Sequence, residues 1–561
     1  MSMREVSVAA ISAAILTVAL TWPVAARLGS VGRVDSGDGR YSIWNVAWVA
    51  HALTSRPSAV YDANIFSPHS NTLAFSEANL VAGVIAIPVW LLTKNGYAAS
   101  NFVTLCSFFL SALTTYVLAK RLTSSVPGAS VAAIAFAFCP YVFSHLPHVQ
   151  LLMTFGLPLV LLVMHAFVDA PSIRRALLLS AAMAVAGLSC GYYGIFGALA
   201  AGFGVLWFGV ARGHWREARY WLLGLLAVLV ASAIIQPFFS PYASLQAHGF
   251  GRSLDEARIF SVRWRSYFAS PMMLDRWMLP YLEFWGSWRE VLFPGFLTIA
   301  LGGLAILQTF APRPAPHLVA SRAVVGFYVT LGVLAVWLSL GPDFGLYALL
   351  HRTVPFFPLL RAPARFGVLV TLAAALLSGI GFANALRPLS GPRRGWVLTA
   401  ILALALAKAT VGPLAMPTAP EETEAHKRLA DLPYGVVAEF PYFIERAERH
   451  RHTEYMLMSM WHWKPLVNGY SDHTPEEVLR DMPKLAAFPD VDAWSVLRDH
   501  RARYVMIHWR LYPPEARAPM VLRVRGLVAY LRPIVDSERV SLYEIVSWPD
   551  GTETETKHSF Q

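Results

Sequence analysis

Long apolar runs recur along much of the chain. The first extends from Val6 to Val24. Ten more follow at approximately Ala98–Ala119, Val126–Phe143, Leu151–Val168, Ala176–Cys190, Tyr193–Val210, Trp221–Phe238, Val291–Phe310, Val324–Leu340, Phe366–Leu386 and Trp396–Leu414. Each approaches the roughly 20 apolar residues that cross a hydrocarbon core of about 30 Å, so the pattern predicts about eleven transmembrane helices. The first run follows Met1-Ser-Met-Arg4 and shows no clean small-x-small cleavage site. It is therefore expected to be retained as a first helix and not removed as a signal peptide.

Basic residues in short loops set the orientation. With the amino terminus inside, Lys120-Arg121, Arg174-Arg175, Arg212/Arg216/Arg219, Arg313/Arg322 and Arg387/Arg393/Arg394 all fall on the inner side. Counting Leu80–Leu92 as a span would move Lys120-Arg121 outside. That segment is therefore expected to be re-entrant or membrane-lying, which requires burial in protein. The expected membrane domain is 1–416, with outer segments 25–97, 239–290 and 341–365. Residues 417–561 follow on the outer face, where charge rises sharply. Strand-like runs at Gly435–Phe440, Tyr504–His508 and Val540–Val546, with helical stretches between them, predict a small α/β domain that alternates as parallel-sheet units do. No internal repeat is visible.

Composition agrees with a bilayer protein. Of 561 residues, 56% are hydrophobic and only 14% charged, against about 25% charged in soluble domains. This excludes a soluble enzyme, a disordered chain and a disulfide-built secreted module, because three cysteines form no framework. Cys139 and Cys190 fall near the outer ends of spans, where they form either one bridge or two buried thiols. The net charge of +11 belongs first to inner loops and lipid headgroups. No nucleic-acid module, Walker loop, dinucleotide fingerprint or zinc-protease helix is present.

The candidate chemistry lies in the outer segments. Asp35 and Asp38 sit just past the first helix, and Gly37 and Gly39 are expected to let the backbone turn around Asp38. Carboxylates so near a membrane surface suit a base or metal ligand in a wet cavity; a solvated loop with an aspartate capping a helix is the alternative. Trp44, Trp48 and His51 repeat at helical spacing, as in a helix lying in the interface. Glu77 opens the Leu80 segment, as a helix-starting acid or as a metal or supporting group. His145 and His148, three apart, are expected on one helical face and suit a metal or a phosphate. Arg361 and Arg365 sit at the outer end of a span, where a bidentate guanidinium suits phosphate. Pairing with the acids Asp255, Glu256, Asp275, Glu283 and Glu290 is the other reading of these and the neighbouring outer arginines.

Several motifs in order resemble the GT-C-fold polytopic membrane glycosyltransferases, in particular uncharacterised bacterial members. They are Gly37-Asp38-Gly39 with Trp44–Trp48–His51, Ala63-Asn-Ile-Phe-Ser-Pro68 with Thr72-Leu-Ala-Phe-Ser-Glu77, and Leu118-Ala-Lys-Arg-Leu-Thr123. Further on come His145-Leu-Pro-His148-Val-Gln150, Glu290-Val-Leu-Phe-Pro-Gly295, Arg361-Ala-Pro-Ala-Arg-Phe366 and Asn468-Gly-Tyr-Ser471. The resemblance implies an inverting transferase of a bacterial inner membrane. Such an enzyme takes a sugar from a polyprenyl-phosphate donor to a hydroxyl of a glycan, lipid or protein acceptor on the non-cytoplasmic face. It implies Asp38 as base, with Asp35 second, and Arg361, Arg365, His145 and His148 on the donor phosphate. Trp44, His51, Asn64, Glu77 and Glu290 are expected to line the substrate or support the groups that do. Some relatives use a divalent metal. Histidines stand here where an aspartate pair is usual, so a metal on His145 and His148 is left open. The competing readings are a lipid-linked glycan flippase or transporter, and a non-catalytic envelope assembly protein.

Overall fold

Each of the expected runs overlaps a helix in the computed structural model, which describes residues 2–247, 252–282, 291–312, 318–354 and 357–549. By length and apolar composition, eight helical segments among the described residues can cross a membrane. These are Met3–Leu20, Gly96–Thr123, Val126–Ser144, Val149–Asp169, Gly191–Ala211, Ala218–Ala243, Arg322–Ser339 and Pro363–Leu386. The other expected spans fall short by that measure. Ile173–Ser189 has 17 residues and Phe296–Phe310 has 15. Gly391–Lys408 carries Arg393, Arg394 and Lys408. The run expected from Val291 is shortened because Gly295 adopts a φ of 93°, which no α-helix accommodates. Leu80–Thr93 is a 14-residue helix with Pro88 inside it, too short to span.

The chain divides into two compact units. The helical unit comprises Met1–Leu28, Asn79–Ile85 and Asn101–Met416. Its centre is the Gly367–Leu386 helix, which is buried along almost its whole length. Gly379 of this helix meets Gly128 of the Val126–Ala137 helix so closely that a Cβ on Gly379 would lie 2.6 Å from the Gly128 carbonyl oxygen. Small residues at such crossings let helix backbones approach and pack where no hydrophobic drive exists. Met3–Leu20 is the opposite case, with only Ala13 and Thr17 buried and Val8, Ile11 and Ile15 more than half exposed, as expected of a face meant for lipid. Cys106, Cys139 and Cys190 are free thiols, the last two buried. Cys139 and Cys190 therefore form no bridge.

The second unit comprises Gly29–Ala78, Ala86–Ser100 and Pro417–Gln561. It thus joins most of the first outer segment to the carboxyl-terminal region. Four strands, β1 (Val436–Phe440), β2 (Ala502–His508), β3 (Leu531–Val535) and β4 (Val540–Ile545), form one sheet in the order β1-β2-β4-β3. Only β1 and β2 are parallel. The other pairs are antiparallel, so the sheet is mixed and not the parallel alternation expected from sequence. The short connection between β3 and β4 permits no crossover and forces a hairpin. β3 escaped the sequence reading because it contains Arg532 and Pro533, residues tolerated only on an edge strand. The core beneath the sheet gathers Leu429, Val437, Tyr455, Leu466, Tyr504 and Leu542.

Among the described residues β1 has no strand neighbour on its outer side, and the segment 465–468 takes that place. The Val437 amide donates to the Pro465 carbonyl, and the Val467 amide to the Val437 carbonyl, both at 2.9 Å. The outer edge of that segment pairs with the first outer segment: Leu466 N–H donates to Asn64 O (3.0 Å), Phe66 N–H to Asn468 O (3.1 Å) and Ser67 N–H to Leu466 O (2.8 Å). Asn468 is the fully buried staple. Its Oδ1 accepts from the Glu439 amide at 2.8 Å, and its Nδ2 donates to the Glu439 carbonyl at 2.9 Å. Asn468→Ala leaves a buried donor and acceptor of β1 unmade, each worth about 1–3 kcal/mol. Thermal denaturation of the purified variant should therefore show a lowered midpoint, while Asn468→Asp, which keeps only the acceptor, should lose part of the same stability.

Candidate active site

Asp38 enters the second unit on the first turn of the Gly37–Ser55 helix. The helix is capped by Ser36, whose hydroxyl accepts from the Gly39 amide at 3.1 Å. Asp38 is thus not the cap. It sits exposed at the amino-terminal end, where the helix dipole favours an ionised carboxylate. Gly37 and Gly39 do not make a tight turn either, since both lie within the helix. They are glycines because of crowding: a Cβ on Gly39 would fall 1.8 Å from the Arg33 carbonyl oxygen, and one on Gly37 2.8 Å from His450 Cβ. Asp35 is exposed and held by Arg33 through two hydrogen bonds of 2.9 and 3.0 Å.

The same helix was expected in a membrane interface. Instead Ile43 through Ala50 are buried without a break, so it is a core helix of its unit. The indole of Trp44 donates to Asn64 Oδ1 (3.1 Å), and the Asn64 amide reaches Ser459 Oγ (3.0 Å) and Lys464 O (3.2 Å). His51 stacks on Trp463, with ring centroids 4.6 Å apart and planes 8° from parallel. Burial first, then Lys94 and Arg56, lowers its imidazole to about 4, so it is neutral at physiological pH. Trp44, Asn64 and His51 thus pack and hydrogen-bond around this helix.

One helix face carries Asp38, Tyr41, Ser42 and Asn45, at i, i+3, i+4 and i+7. Along it the structure gathers two distant segments of the unit. Asn45 Nδ2 donates to the Glu77 carbonyl at 3.2 Å, and Ser76 Oγ bonds Asp472 Oδ2 at 3.2 Å. Tyr41 packs edge-on against Tyr470 at 6.5 Å. Its hydroxyl lies among Ser76, Asn45 and Ser471 without completing a hydrogen bond to any of them. Burial, together with the Asp472 charge, pushes this phenol up to about 12. Ser471 Oγ is buried and likewise lacks a hydrogen bond. Sequence reasoning missed Tyr41 and Asp472, although Asn468-Gly-Tyr-Ser471 stopped one residue short of Asp472. Glu77 does not start the Leu80–Thr93 helix; it lies three residues before it and uses its carbonyl to hold Asn45.

The remaining expected residues lie in the helical unit. His145 ends the Pro140–Ser144 helix and His148 precedes Val149–Leu152, so they flank a turn and do not share a helical face. Their rings stand 6.0 Å apart. His145 Nδ1 meets the Tyr141 carbonyl at 2.6 Å, and burial holds the imidazole well below its ordinary pKa. Arg365 is buried, and its guanidinium lies 4.2 Å over the Tyr192 ring. Arg361 is nearer the surface, over Phe260 at 5.4 Å and 3.8 Å from Glu256. Arg252 pairs with Glu256 at 3.1 Å, and Arg258 bonds both Asp255 and Asp343, so local ion pairing accounts for these two. Glu290 lies outside the described residues.

Among the described residues, one group of three or more histidine, cysteine or carboxylate ligands converges, and it is not at His145 and His148. It is His426, Glu439 and His508, all buried in the second unit, with ligand atoms within 4.8 Å of one another. These residues can coordinate a divalent metal. Burial pushes the Glu439 carboxyl up and both imidazoles down, and Glu439 Oε2 lies 2.5 Å from His508 Nε2.

No protein-family model and no curated protein matches the chain. Among solved structures it is similar to a mutant of arabinofuranosyltransferase AftD from Mycobacteria, seen by single-particle cryo-EM. The TM-score is 0.59 at 15% identity, over 97% of this chain and 41% of that one. It also aligns with ArnT from Cupriavidus metallidurans in the apo state, with a TM-score of 0.37, 14% identity, and coverage of 90% and 93%. Only the first likeness is close enough to carry the fold. The chain has a GT-C-like fold, as its motifs led one to expect, and spans less than half the length of AftD.

Proposed function

We propose that the protein is a membrane glycosyltransferase. It moves a sugar from a polyprenyl-phosphate donor to an acceptor hydroxyl on the non-cytoplasmic face of a bacterial inner membrane, with inversion. The observation that carries this reading is the placement of Asp38. It stands at the exposed end of a helix buried nearly throughout, on a face shared with Tyr41 and Asn45 and lined by Ser76 and Asp472. The fold it sits in is similar to that of part of an arabinofuranosyltransferase.

The chemistry is balanced without a further acid. Asp38 accepts the proton of the acceptor hydroxyl as its oxygen forms the new bond to the anomeric carbon. The bond from that carbon to the phosphate oxygen breaks, and the lipid phosphate departs as an anion that needs charge stabilisation only. Tyr41 and Ser471 offer buried hydroxyls for a polar, hydroxyl-rich acceptor. For the phosphate, the helical unit offers Arg365, held flat by Tyr192 and thus pre-organised to donate two parallel hydrogen bonds. Arg365→Lys keeps the charge but loses the fork and the ring contact. A loss of about tenfold or more in kcat/KM is expected from a deficit of roughly 1.4 kcal/mol, and donor titration against initial rates would measure it.

This reading takes the amino terminus as cytoplasmic and the carboxyl-terminal region as extracytoplasmic, on the basic residues of the short loops. Purified protein in nanodiscs, given a panel of polyprenyl-phosphate sugars that includes arabinofuranose, should release free polyprenyl phosphate. In proteoliposomes, movement of intact donor across the bilayer with no release would favour the transporter reading. Binding with neither release nor movement would favour an assembly protein.

A further inference from the structure

We propose that His426, Glu439 and His508 form a zinc site that clamps the carboxyl-terminal sheet to the helix preceding it. The three residues come from separate elements: His426 from the Glu424–Asp431 helix, Glu439 from β1 and His508 from the end of β2. They are 1%, 0% and 3% exposed. A set of two imidazoles and one carboxylate suits a borderline-soft divalent ion, with water as the fourth ligand.

Two buried lone pairs point to the ion. His426 Nε2 and Glu439 Oε1 are inaccessible and have no hydrogen-bond partner. A buried polar atom left unmade is destabilising, and native interiors rarely keep two in one cluster without water or an ion between them. The other side of the His426 ring is already oriented: Nδ1 lies 2.6 Å from Thr423 Oγ1, and with Nδ1–H donating there Nε2 keeps its lone pair for a metal. Hydrogen bonds of this kind orient metal-binding imidazoles in general. His508 Nε2 and Glu439 Oε2 now share a short bond of 2.5 Å. In a tetrahedral zinc site, bonds of about 2.0–2.1 Å separate neighbouring ligand atoms by roughly 3.3 Å. A modest opening of the His508–Glu439 pair and a small approach of His426 would meet that spacing. His462 stands parallel to His426 with ring centroids 6.2 Å apart, but its Nδ1 accepts from the Lys464 amide, so its Nε2 carries hydrogen and it is not a ligand.

The site is independent of the transferase reading and is tested on the full chain, purified without a histidine tag. Elemental analysis should find about one zinc per chain, a number set by the one such ligand set among the described residues. Stripping with a chelator should lower the unfolding temperature, and zinc, but not magnesium, should restore it. Replacing zinc by cobalt should give visible d–d absorption. Glu439→Gln retains a donor for His508, so it can fold while losing the anionic ligand. It and His426→Gln should each weaken zinc binding by at least about tenfold, the smaller end of what losing even a supporting partner of a ligand costs. The proposal is overturned if zinc-incubated wild type holds no zinc and its unfolding temperature ignores the chelator. It is equally overturned if Glu439→Gln binds zinc as tightly as wild type. Should His426→Gln fail to fold, Glu439→Gln and the stripping experiment still decide.

Discussion

Asp38→Asn is expected to abolish sugar transfer, with kcat falling by about 10³-fold within the usual range for removing a general base. The substitution leaves the fold of the helix start in place. Asparagine matches the carboxylate in shape, the residue is exposed on the first helical turn, and the cap is supplied by Ser36. Donor binding should therefore persist while turnover vanishes, a split that single-turnover release and equilibrium donor binding would resolve. Asp35→Asn is the internal comparison. Its carboxylate is engaged by Arg33 through two hydrogen bonds, so its loss should affect a surface ion pair worth about 0–1 kcal/mol and leave kcat nearly intact. If the two variants behaved the other way round, the base would be Asp35 and the proposed role of the Asp38 face would fall.

Gly39→Ala should be strongly damaging although it is conservative. In an ordinary helix interior, alanine in place of glycine stabilises by about 1 kcal/mol. Here the sign reverses, because the added Cβ would sit 1.8 Å from the Arg33 carbonyl oxygen, a backbone atom that no side-chain rotation can move aside. Either the helix start or the preceding loop must shift. Overpacking of this kind costs about 3 kcal/mol or more, and Asp38, one residue away, would be displaced with it. Gly202→Ala supplies the control: it is a helical glycine with nothing within 4 Å of its Cβ position. Unfolding temperature and turnover should both drop for Gly39→Ala, whereas Gly202→Ala should keep its turnover and hold or slightly raise its unfolding temperature. Equal behaviour of the two would mean that the approach of Arg33 to this helix is dispensable.

The reading of Gly37-Asp-Gly39 shows where sequence reasoning stopped. Spacing marked Asp38 as a candidate because two glycines flanked it near a membrane face. It could not tell a turn from a close approach, since both demand a missing Cβ. The same limit hid the burial of Trp44 and His51. Their helical spacing was visible, but a helix lying on a bilayer and a helix inside a protein share that spacing when partners are unknown. Tyr41 and Asp472 lie more than four hundred residues apart in sequence, and only folding of the first outer segment together with the carboxyl-terminal region brings them into one unit. His426, Glu439 and His508 are likewise scattered, with no ligand spacing to betray them.

The sequence by itself determined what is additive along the chain. Runs of apolar residues dictated helices suited to a bilayer, basic loops gave them an expected orientation, and a shift toward charge marked a carboxyl-terminal region with strands. Such properties follow from local free energies of transfer and need no knowledge of neighbours. The tertiary structure decided what depends on pairs of distant residues. It determined which glycines are crowded, which polar groups share the face of Asp38, which strands run antiparallel, and which three buried side chains point their lone pairs at one another. Those outcomes rest on close packing and on hydrogen bonds between segments far apart in sequence, and no local pattern encodes them.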